Sequence, residues 1–399
     1  MKTKIINIIF LIGLFSYSFS LLLPFNLRNI PIFIFVITIL VSLFPFGVVK
    51  KSHLTSLLLN VLFFIAMAFS IIYTNDVAYG LTKVLVMAPL IIMPISLFLI
   101  TSKKAINYDK IKNYFYLSFF ASTVLFFLGV LIQNYFRGFL NETIFVHYAE
   151  RLNSKYGNYS MHPLYASMYV IISLLLAIPI YAMLKKGTYK FLLILSVIFL
   201  ILVLLLLARK GPIIICSLIF FLYFLKFQTK KHLVFYLLIA ALFFILVFIL
   251  VPIRNRFLEL FDVLMSAKQN HLGSTSIRLY VYECTVSAIK EAPFFGYGIG
   301  DTKDVLEMCY SNYNIPYHNS HNQFLSAWLS GGILGFVSLV LIFIQGFKIA
   351  FKSKDFVYFS ILFLFLMMFL TENILERQDG VLLFSFFISF FTYKNINKG

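Results

Sequence analysis

The sequence predicts an all-α polytopic membrane protein, and three observations predict it. The 399 residues are 61% hydrophobic and 19% aromatic but only 12% charged, a balance outside the range of soluble globular proteins. The apolar residues form runs of about 18–22, the length that crosses a hydrocarbon core of about 30 Å as a helix. Short polar segments rich in lysine separate these runs.

About twelve runs meet this length criterion, and each is expected to form one transmembrane helix. They lie near residues 4–22, 30–48, 54–73, 80–100, 112–134, 162–183, 190–207, 212–226, 233–252, 322–346, 355–371 and 380–393. The first run starts with the basic segment MKTK, as a signal peptide would, but no small-residue cleavage site follows, so it is expected to remain as the first helix. No internal repeat relates the two halves, and a single transmembrane domain over residues 1–399 is predicted.

The net charge of +18 would favour nucleic-acid binding in a soluble protein, but its distribution indicates topology instead. Lysine pairs such as Lys50 with Lys51 and Lys103 with Lys104 occupy alternate polar segments, and the short segments between them carry few basic residues. The positive-inside rule then places both termini in the cytoplasm. No nucleic-acid partner is predicted.

Two of the predicted outer segments are long, residues 135–161 and residues 253–321. The second carries six basic and seven acidic residues, so a nearly neutral folded loop with short helices is predicted. Within it Ile277, Val281, Cys284 and Ala288 recur at helical spacing. This pattern predicts an amphipathic helix of about 14 residues that lies on the membrane face and ends at the segment APFFGYGIGD.

The large outer loop also holds two cysteines and three closely spaced glycines. An oxidising compartment would permit a disulfide between Cys284 and Cys309, and two buried thiols are the alternative. Gly296, Gly298 and Gly300 lack the strand and helix that a dinucleotide fingerprint requires. We expect them to form a tight turn that brings backbone close to a substrate or to another loop.

The segment ARKGP divides an apolar run that is too long for one span. Gly211 and Pro212 are expected to turn the chain, and Pro212 suits the first position of the next helix. Arg209 and Lys210 would then lie at the outer membrane boundary beside the free N–H groups of a helix N-terminus, an arrangement that binds anions such as the phosphate of a lipid. Alternatively, both side chains simply extend to the interface.

The segment HNSHNQFL places two histidines ahead of a predicted helix. Asn319, Ser320 and Asn322 are favoured helix N-caps, so His318 or His321 should lie at the first turn, where the helix dipole favours a neutral imidazole. A neutral imidazole can act as a general base on a hydroxyl. The alternatives are a histidine that only caps or donates hydrogen bonds, and a zinc site formed with Cys309.

Four segments together resemble the O-antigen ligase and O-antigen polymerase superfamily. They are ARKGP, STSIRLYVYECTVSAIKEAPFFGYGIG, HNSHNQFLSAWLSGGILGF and ENILERQDGVLLF, and the resemblance is best over residues 200–390. It implies a bacterial inner-membrane enzyme with about twelve spans and one large periplasmic loop, in agreement with the spans counted above.

The resemblance also implies a reaction. Members of the superfamily transfer a glycan from undecaprenyl pyrophosphate to a hydroxyl, which belongs to lipid A-core in ligases, to another lipid-linked glycan in polymerases and to a protein side chain in a related branch. An O-antigen ligase is the expected member. Polymerase and protein O-oligosaccharyltransferase activities remain alternatives, and acceptor, donor sugars and oligomeric state stay open.

The resemblance assigns roles to individual residues. It implies that His321 and Arg278 are catalytic, with Asn322 beside His321, and that Arg209 and Arg278 bind the donor pyrophosphate. The sequence departs from the family pattern at Lys210, where a small or aliphatic residue is usual, and at His318, a second histidine. Lys210 would join the pyrophosphate site, and the candidates for acceptor binding or support are His318, Asn322, His162 and Glu376.

The implied mechanism is a metal-independent inverting transfer without any cofactor. Arg209 and Arg278 would neutralise the departing pyrophosphate while His321 activates the acceptor hydroxyl on the opposite face of the sugar. Arg278 has a structural alternative, an ion pair with one of the carboxylates Glu283, Glu372, Glu376 and Asp379.

Two other classes of protein remain to be weighed, a lipid-linked glycan transporter and a membrane scaffold without chemistry. Transporters usually show related halves and charged residues near the bilayer midplane. In this sequence the ionisable residues collect at the predicted outer boundary and the halves differ. The enzyme is therefore favoured.

Overall fold

The structure is a computed structural model that describes residues 2–24, 27–41, 51–101, 108–136, 148–149, 152, 160–226, 258 and 274–396. These residues are mostly helical, and they contain no β-strand. Fourteen α-helices occur in the described part of the chain: α1 Lys2–Phe19, α2 Asn29–Val41, α3 Lys51–Phe69, α4 Val77–Val86, α5 Pro89–Thr101, α6 Tyr108–Phe136, α7 Pro163–Met183, α8 Gly187–Leu206, α9 Lys210–Lys226, α10 Ser274–Glu291, α11 Thr302–Ser311, α12 Gln323–Lys352, α13 Phe356–Phe369 and α14 Gln378–Ile396.

Seven helical segments among the described residues are long and apolar enough to cross a membrane. They are Ile5–Leu22, His53–Tyr73, Val77–Thr101, Tyr108–Phe136, Pro163–Met183, Gly187–Leu206 and Gln323–Lys352. Helices α2, α9 and α13 coincide with further predicted runs but have only 13, 17 and 14 residues, shorter than a typical span. The all-α class is confirmed in the described residues, whereas the number of twelve spans is not.

Parts of the predicted topology lie outside the described residues. This applies to the predicted span at 233–252 and to most of residues 135–161 and 253–273. The position of the large loop in the periplasm and of both termini in the cytoplasm therefore stays a prediction.

The chain divides into two compact units. The first comprises Met1–Gly47 and Lys103–Phe257, and the second comprises Val48–Ser102 and Leu258–Gly399. In the first unit α1 packs on α2 and α6, and α7 packs on α6 and α8. Pairs of buried hydroxyl groups join neighbouring helices. The Ser173 hydroxyl donates to that of Thr123 at 2.8 Å, and the hydroxyl oxygens of Ser18 and Ser118 lie 3.0 Å apart. Such short polar contacts hold helices together where lipid provides no hydrophobic driving force.

The second unit is built around α14, which is buried from Gly380 to Asn395 between its neighbours. Helix α14 packs on α5 and α12, and α12 in turn packs on α3 and α13. At one end of α14 the Lys394 ammonium donates to Asp355 Oδ2 at 2.5 Å, and Asn395 donates to the same oxygen at 2.9 Å. Because both charged groups are largely buried, this pair compensates charges that would be costly to bury singly.

Helices α10 and α11 form a small subdomain of the second unit. A disulfide joins Cys284 and Cys309, with the two Cα atoms 5.8 Å apart. The disulfide alternative is therefore confirmed for this pair. The predicted stripe on α10 is also present, but its members Val281 and Ala288 pack on α11 and on Leu329 of α12. The apolar stripe of α10 is thus buried against neighbouring helices, and the position of α10 on the membrane face stays a prediction.

A break in α12 receives the glycine-rich segment that follows α10. Gly332 has φ 60° and ψ −155°, which interrupts the helix. The N–H groups of Tyr297 and Gly298 donate to the carbonyls of Leu329 and Ser330 at 2.8 and 3.0 Å, and Ile333 N–H donates to the carbonyl of Phe294 at 3.2 Å. The glycine turn therefore brings its backbone close to another segment of the chain, which is one of the two outcomes expected from the sequence.

We expect Gly332→Ala to destabilise the second unit. A Cβ at this position would lie 2.0 Å from the Phe294 carbonyl oxygen, and the positive φ would be strained for alanine. The backbone strain alone should cost about 1–3 kcal/mol. Thermal unfolding in detergent should show a lower midpoint for Gly332→Ala. The matched control is Gly129→Ala in α6, where nothing lies within 4 Å of the added carbon and no loss is expected. Equal midpoints for wild type and Gly332→Ala would contradict this interpretation of the break.

Asp301 anchors the same glycine-rich segment to the turn between α3 and α4. Its carboxylate accepts hydrogen bonds from the backbone N–H groups of Asn75 and Asp76, at 2.7 and 2.8 Å, and from the Asn75 side chain at 2.9 Å. Burial acts to raise the pKa of the Asp301 carboxyl. The hydrogen bonds from Asn75, Asp76 and the Thr74 hydroxyl outweigh it, so the pKa lies below its ordinary value.

We expect Asp301→Asn to lower stability at neutral pH by about 2 kcal/mol, because an amide cannot accept at both positions. The pKa of the Asp301 carboxyl is lower in the folded protein than in the unfolded chain, where it has the ordinary value of about 3.9. The stabilisation is therefore fully present above that ordinary value, and it is lost as the pH falls through the lowered pKa of the folded protein. Unfolding midpoints measured against pH should therefore differ between variant and wild type at pH 7 and converge at acidic pH. The exposed neighbour Asp304 provides the control Asp304→Asn, with little change expected. A difference that persists undiminished in acid would contradict the assignment.

Candidate functional site

The candidate site lies at the N-terminus of α12. The Asn322 side chain caps the helix by accepting from the backbone N–H groups of Phe324 and Leu325 at 2.9 and 3.1 Å. Gln323 then accepts from the N–H of Leu375 at 2.7 Å, and Ser320 contacts Asn373 at 3.2 Å. These bonds tie the residues before α12 to the segment that links α13 to α14. The N-cap predicted from the sequence is confirmed at Asn322.

His321 is held by its backbone in a left-handed conformation, with φ 46°. Its N–H donates to the Asn319 side-chain oxygen at 3.3 Å, and its carbonyl accepts from the Tyr282 hydroxyl of α10 at 3.3 Å. Residues other than glycine adopt this conformation rarely, and such strain concentrates at functional sites. His321 lies just ahead of the helix, two residues before its first residue, so it precedes the first turn.

Glu372 joins two of the predicted site residues. Its Oε1 lies 2.6 Å from Arg278 Nη2, and its Oε2 lies 3.2 Å from His321 Nδ1. The exposed fraction of the side chain is 36% for Arg278, 23% for His321 and 24% for Glu372. The group is therefore partly buried but reachable from solvent. The ion pair that the sequence offered as the alternative for Arg278 is therefore present, and it places Arg278 and His321 on the same carboxylate.

Tyr282 completes this group from α10, four residues after Arg278. Burial raises the pKa of its hydroxyl; the charge of Arg278 acts to lower that pKa and the charge of Glu372 to raise it. The hydroxyl therefore stays protonated at neutral pH and can serve as the donor to the His321 carbonyl.

A second carboxylate, Glu376, lies four residues further along the same segment, at the end of the short 3-10 helix Ile374–Glu376. It accepts from Asn319 Nδ2 at 3.2 Å and from Asn373 Nδ2 at 2.5 Å, and Lys83 Nζ lies 3.7 Å away. Lys83 also lies over the Tyr79 ring, 5.2 Å from its centroid. The structure thus places the predicted support residue Glu376 beside the residues that precede α12.

His318, the second histidine, occupies a different environment. Its ring centroid lies 5.8 Å from that of His321. Its Nε2 is buried and has no hydrogen-bond partner in the part of the chain that the structure describes. Burial lowers the pKa of His318, and the proximity of the His321 ring lowers it further, so the neutral form of His318 is favoured at physiological pH. Of the two histidines, His321 is the one whose described contacts include a carboxylate, that of Glu372.

Arg209 and Lys210 belong to the first unit, at the junction of α8 and α9. The chain turns at Ala208, which has φ 49°, and α9 begins at Lys210. The expected turn at Gly211 and Pro212 was therefore wrong, because the left-handed residue lies three positions earlier and Pro212 is already inside the helix. Both basic side chains are partly buried at the N-terminus of α9. Their role toward the donor stays a prediction.

His162, also in the first unit, has a structural role. Its ring Nδ1 accepts from the Leu164 N–H at 3.4 Å and thereby caps α7. The ring also contacts that of Tyr165, with centroids 5.9 Å apart. Its predicted contribution to acceptor binding is not tested by these contacts.

One candidate ligand of the alternative zinc site, Cys309, is part of a disulfide in the structure. Cys309 is bonded to Cys284 and has no thiolate to offer. Among the residues that the structure describes, no three histidine, cysteine or acidic side chains are grouped as metal ligands would be.

Three residues near His321 were not singled out as site residues from the sequence: Glu372, Tyr282 and Lys83. A signal existed for Glu372, because two acidic residues four positions apart are conspicuous in a chain with only 15 acidic residues. Tyr282 follows Arg278 at i+4 and therefore shares its helix face. Lys83 carried no comparable signal, because its approach to Glu376 joins parts of the chain that are distant in sequence.

Comparison with known proteins gives one family match and one relative. Residues 194–340 match the O-antigen ligase family, which confirms the predicted resemblance for that part of the chain. A protein of Haemophilus influenzae described as uncharacterized is 34% identical over 80 residues, which cover 19% of this chain and 20% of that protein. The aligned segment thus spans about a fifth of the relative's length.

The family match covers Arg209, Lys210, Arg278, His321 and Asn322. It also covers His318 but ends before Glu372 and Glu376, which lie in the second unit outside the matched residues. The described residues thus combine helices long and apolar enough to cross a membrane with a segment, residues 194–340, that is similar to O-antigen ligases.

Proposed function

We propose that this chain, in which residues 194–340 match the O-antigen ligase family, transfers a glycan from undecaprenyl pyrophosphate to an acceptor hydroxyl. The reaction takes place on the periplasmic side of the bacterial inner membrane, with lipid A-core as the acceptor. The observation that carries the proposal is the shared carboxylate: Glu372 contacts the imidazole of His321 and the guanidinium of Arg278 at once. A proton acceptor and a fixed cation at one partly exposed place are what transfer from a phosphorylated donor requires.

The cations act on the leaving group. The pyrophosphate takes the bonding electron pair as its bond to the sugar anomeric carbon lengthens, so negative charge grows on its oxygens. A planar guanidinium can donate two parallel hydrogen bonds to phosphate oxygens, which suits Arg278 and Arg209 to this task. Lys210 adds a third positive charge beside Arg209. The N–H groups at the N-terminus of α9 would contribute in the same direction.

The imidazole acts on the acceptor. The His321 ring accepts the hydroxyl proton while the acceptor oxygen bonds to the anomeric carbon from the face opposite the pyrophosphate. One carbon–oxygen bond forms, one breaks, and undecaprenyl pyrophosphate departs with its electron pair. In-line displacement of this kind inverts the anomeric configuration. The energy comes from the pyrophosphate linkage, so neither a metal nor a nucleotide is part of the proposal.

Acceptor identity distinguishes ligase, polymerase and protein O-oligosaccharyltransferase, and the proposed chemistry is the same in all three. Purified protein should be supplied with undecaprenyl-pyrophosphate glycan and, in separate reactions, lipid A-core, a second lipid-linked glycan or a serine-containing peptide. EDTA is present and ATP is omitted. Glycosylated lipid A-core is the expected product. Product with another acceptor only would replace the ligase assignment by the matching alternative.

The same preparation in liposomes tests the non-enzymatic alternative. A lipid-linked glycan carrier would move intact donor between leaflets without forming a new glycosidic bond. Such movement with no product from any acceptor would overturn the proposed function.

A further inference from the structure

We infer that Glu372 is a positioning residue that fixes which ring nitrogen of His321 carries the proton. The inference rests on the proposed function, because it describes how His321 is prepared to act as the base. It concerns a residue outside the part of the chain that matches the O-antigen ligase family. Glu372, His321 and Arg278 all lie within the second unit.

The first step is the chemistry of the contact. An ionised carboxylate only accepts hydrogen bonds, and a neutral imidazole has one N–H and one lone pair. Since Glu372 Oε2 lies 3.2 Å from His321 Nδ1, the stable arrangement has the proton on Nδ1, which donates to the carboxylate. The lone pair is then on Nε2. A ring with its proton on Nε2 would instead place two lone pairs against each other and could not accept a proton at Nε2.

The second step is that Glu372 is itself held in place. Its other oxygen, Oε1, accepts from Arg278 Nη2 at 2.6 Å, a distance typical of a strong charge-assisted bond. Its backbone N–H donates to the carbonyl of Met368 at 2.9 Å, just after the end of α13. The carboxylate is therefore fixed at both ends of its side chain. The ionised carboxylate is the form that accepts from Nδ1, and it is also the form that pairs with the Arg278 guanidinium.

The third step is that the His321 backbone is fixed independently of Glu372. Asn319 and Tyr282 bind its N–H and its carbonyl, and Asn322 caps the helix that follows. With the backbone set, the remaining freedom of His321 is rotation of the side chain and the choice of tautomer. Glu372 restricts both, in the manner in which a carboxylate orients the histidine of a catalytic triad.

The competing explanation is that Glu372 only neutralises Arg278 and that its contact with His321 is incidental. The two explanations differ in kinetics. Loss of a positioning residue lowers kcat, whereas loss of a partner for Arg278 changes donor binding and appears in KM for the donor. The two explanations also differ in the tautomer they predict for His321, because only a positioning role fixes which ring nitrogen carries the proton.

The experiment compares Glu372→Gln with wild type by steady-state kinetics and by ¹⁵N NMR of protein labelled on histidine. The His321 signals are assigned from their loss in His321→Asn, and spectra are recorded at pH 8.5, where an ordinary imidazole is neutral. We expect the proton of wild-type His321 on Nδ1, and loss of this preference in Glu372→Gln. The kcat should fall about 100-fold or more, with little change in KM for the donor.

The matched control is Glu307→Gln in α11. Glu307 is an exposed carboxylate of the same unit that pairs with Lys303 at 3.7 Å and makes no contact with His321 that the structure describes. Its kcat and the His321 spectrum should equal those of wild type. Thermal unfolding of both variants checks that the Glu372 result is not a loss of fold.

The outcomes separate this inference from the proposed function. Transferase activity together with an Nε2-protonated His321 in wild type would overturn the inference and leave the function standing. A raised donor KM with unchanged kcat in Glu372→Gln would do the same. A tautomer change in Glu372→Gln without glycan transfer by wild type to any acceptor would support the positioning contact and overturn the function.

Discussion

Replacing His321 by alanine is expected to lower kcat by about 10²–10⁴-fold, the range observed when a general base is removed. In the proposed reaction the imidazole is the proton acceptor, because Glu372 is engaged by Arg278 and the Tyr282 hydroxyl is protonated. Initial rates of glycan transfer by purified variants measure the effect. The loss should appear in kcat more than in KM for the donor.

The comparison variants are His321→Asn and His318→Ala. Asparagine tolerates the left-handed conformation of residue 321, so His321→Asn should lose the same activity while it keeps the unfolding midpoint of wild type. His318→Ala should lose much less, since the described contacts of His318 include no carboxylate. A greater loss in His318→Ala than in His321→Ala would transfer the role of the base to His318.

Removing the guanidinium of Arg278 is expected to lower kcat/KM by about 10²–10³-fold, the effect of losing one donor to a developing negative charge. The loss has two sources. The leaving pyrophosphate loses a cation, and the Glu372 carboxylate, released from its 2.6 Å ion pair, repels the donor. Arg278→Ala measures the sum of both. Arg209→Ala, which leaves the Arg278 pair intact, should show the effect of the leaving-group cation alone.

The control for the arginine variants is Arg377→Gln. Arg377 is an exposed arginine in the segment that connects α13 and α14, so its removal changes the net charge without touching the candidate site. Its kcat/KM should match wild type. Full activity in Arg278→Ala or Arg209→Ala would contradict the pyrophosphate-binding role of that residue.

The sequence predicted the local features of the candidate site well. The capping residue Asn322, the helix that carries Arg278 and the close backbone approach of the glycine turn all follow from short-range patterns. Capping and helical spacing depend on neighbours within about four residues, so a single sequence contains the information.

Long-range pairing and exact turn positions could not be predicted. Arg278 had four candidate carboxylates, and only the packing of the unit selects Glu372. The Gly211-Pro212 pair suggested the wrong turn, since the actual turn places a non-glycine residue, Ala208, at positive φ. The break at Gly332 interrupts an apolar run that reads as one continuous helix. It depends on backbone contacts with a segment almost forty residues earlier.

The central claim is that the cations Arg209 and Lys210 and the base His321 act on one donor from the same side of the membrane. Cysteine labelling tests it most directly, because the background is low: Cys216 is buried, and Cys284 and Cys309 are joined in a disulfide. Lys210→Cys and Asn319→Cys are made singly and exposed to a membrane-impermeant maleimide in cells whose outer membrane alone has been permeabilised. The account predicts that both cysteines react before the inner membrane is opened. If only one reacts before the inner membrane is opened, the cations and the base lie in different compartments; if both react only afterwards, both face the cytoplasm. Either result contradicts the account.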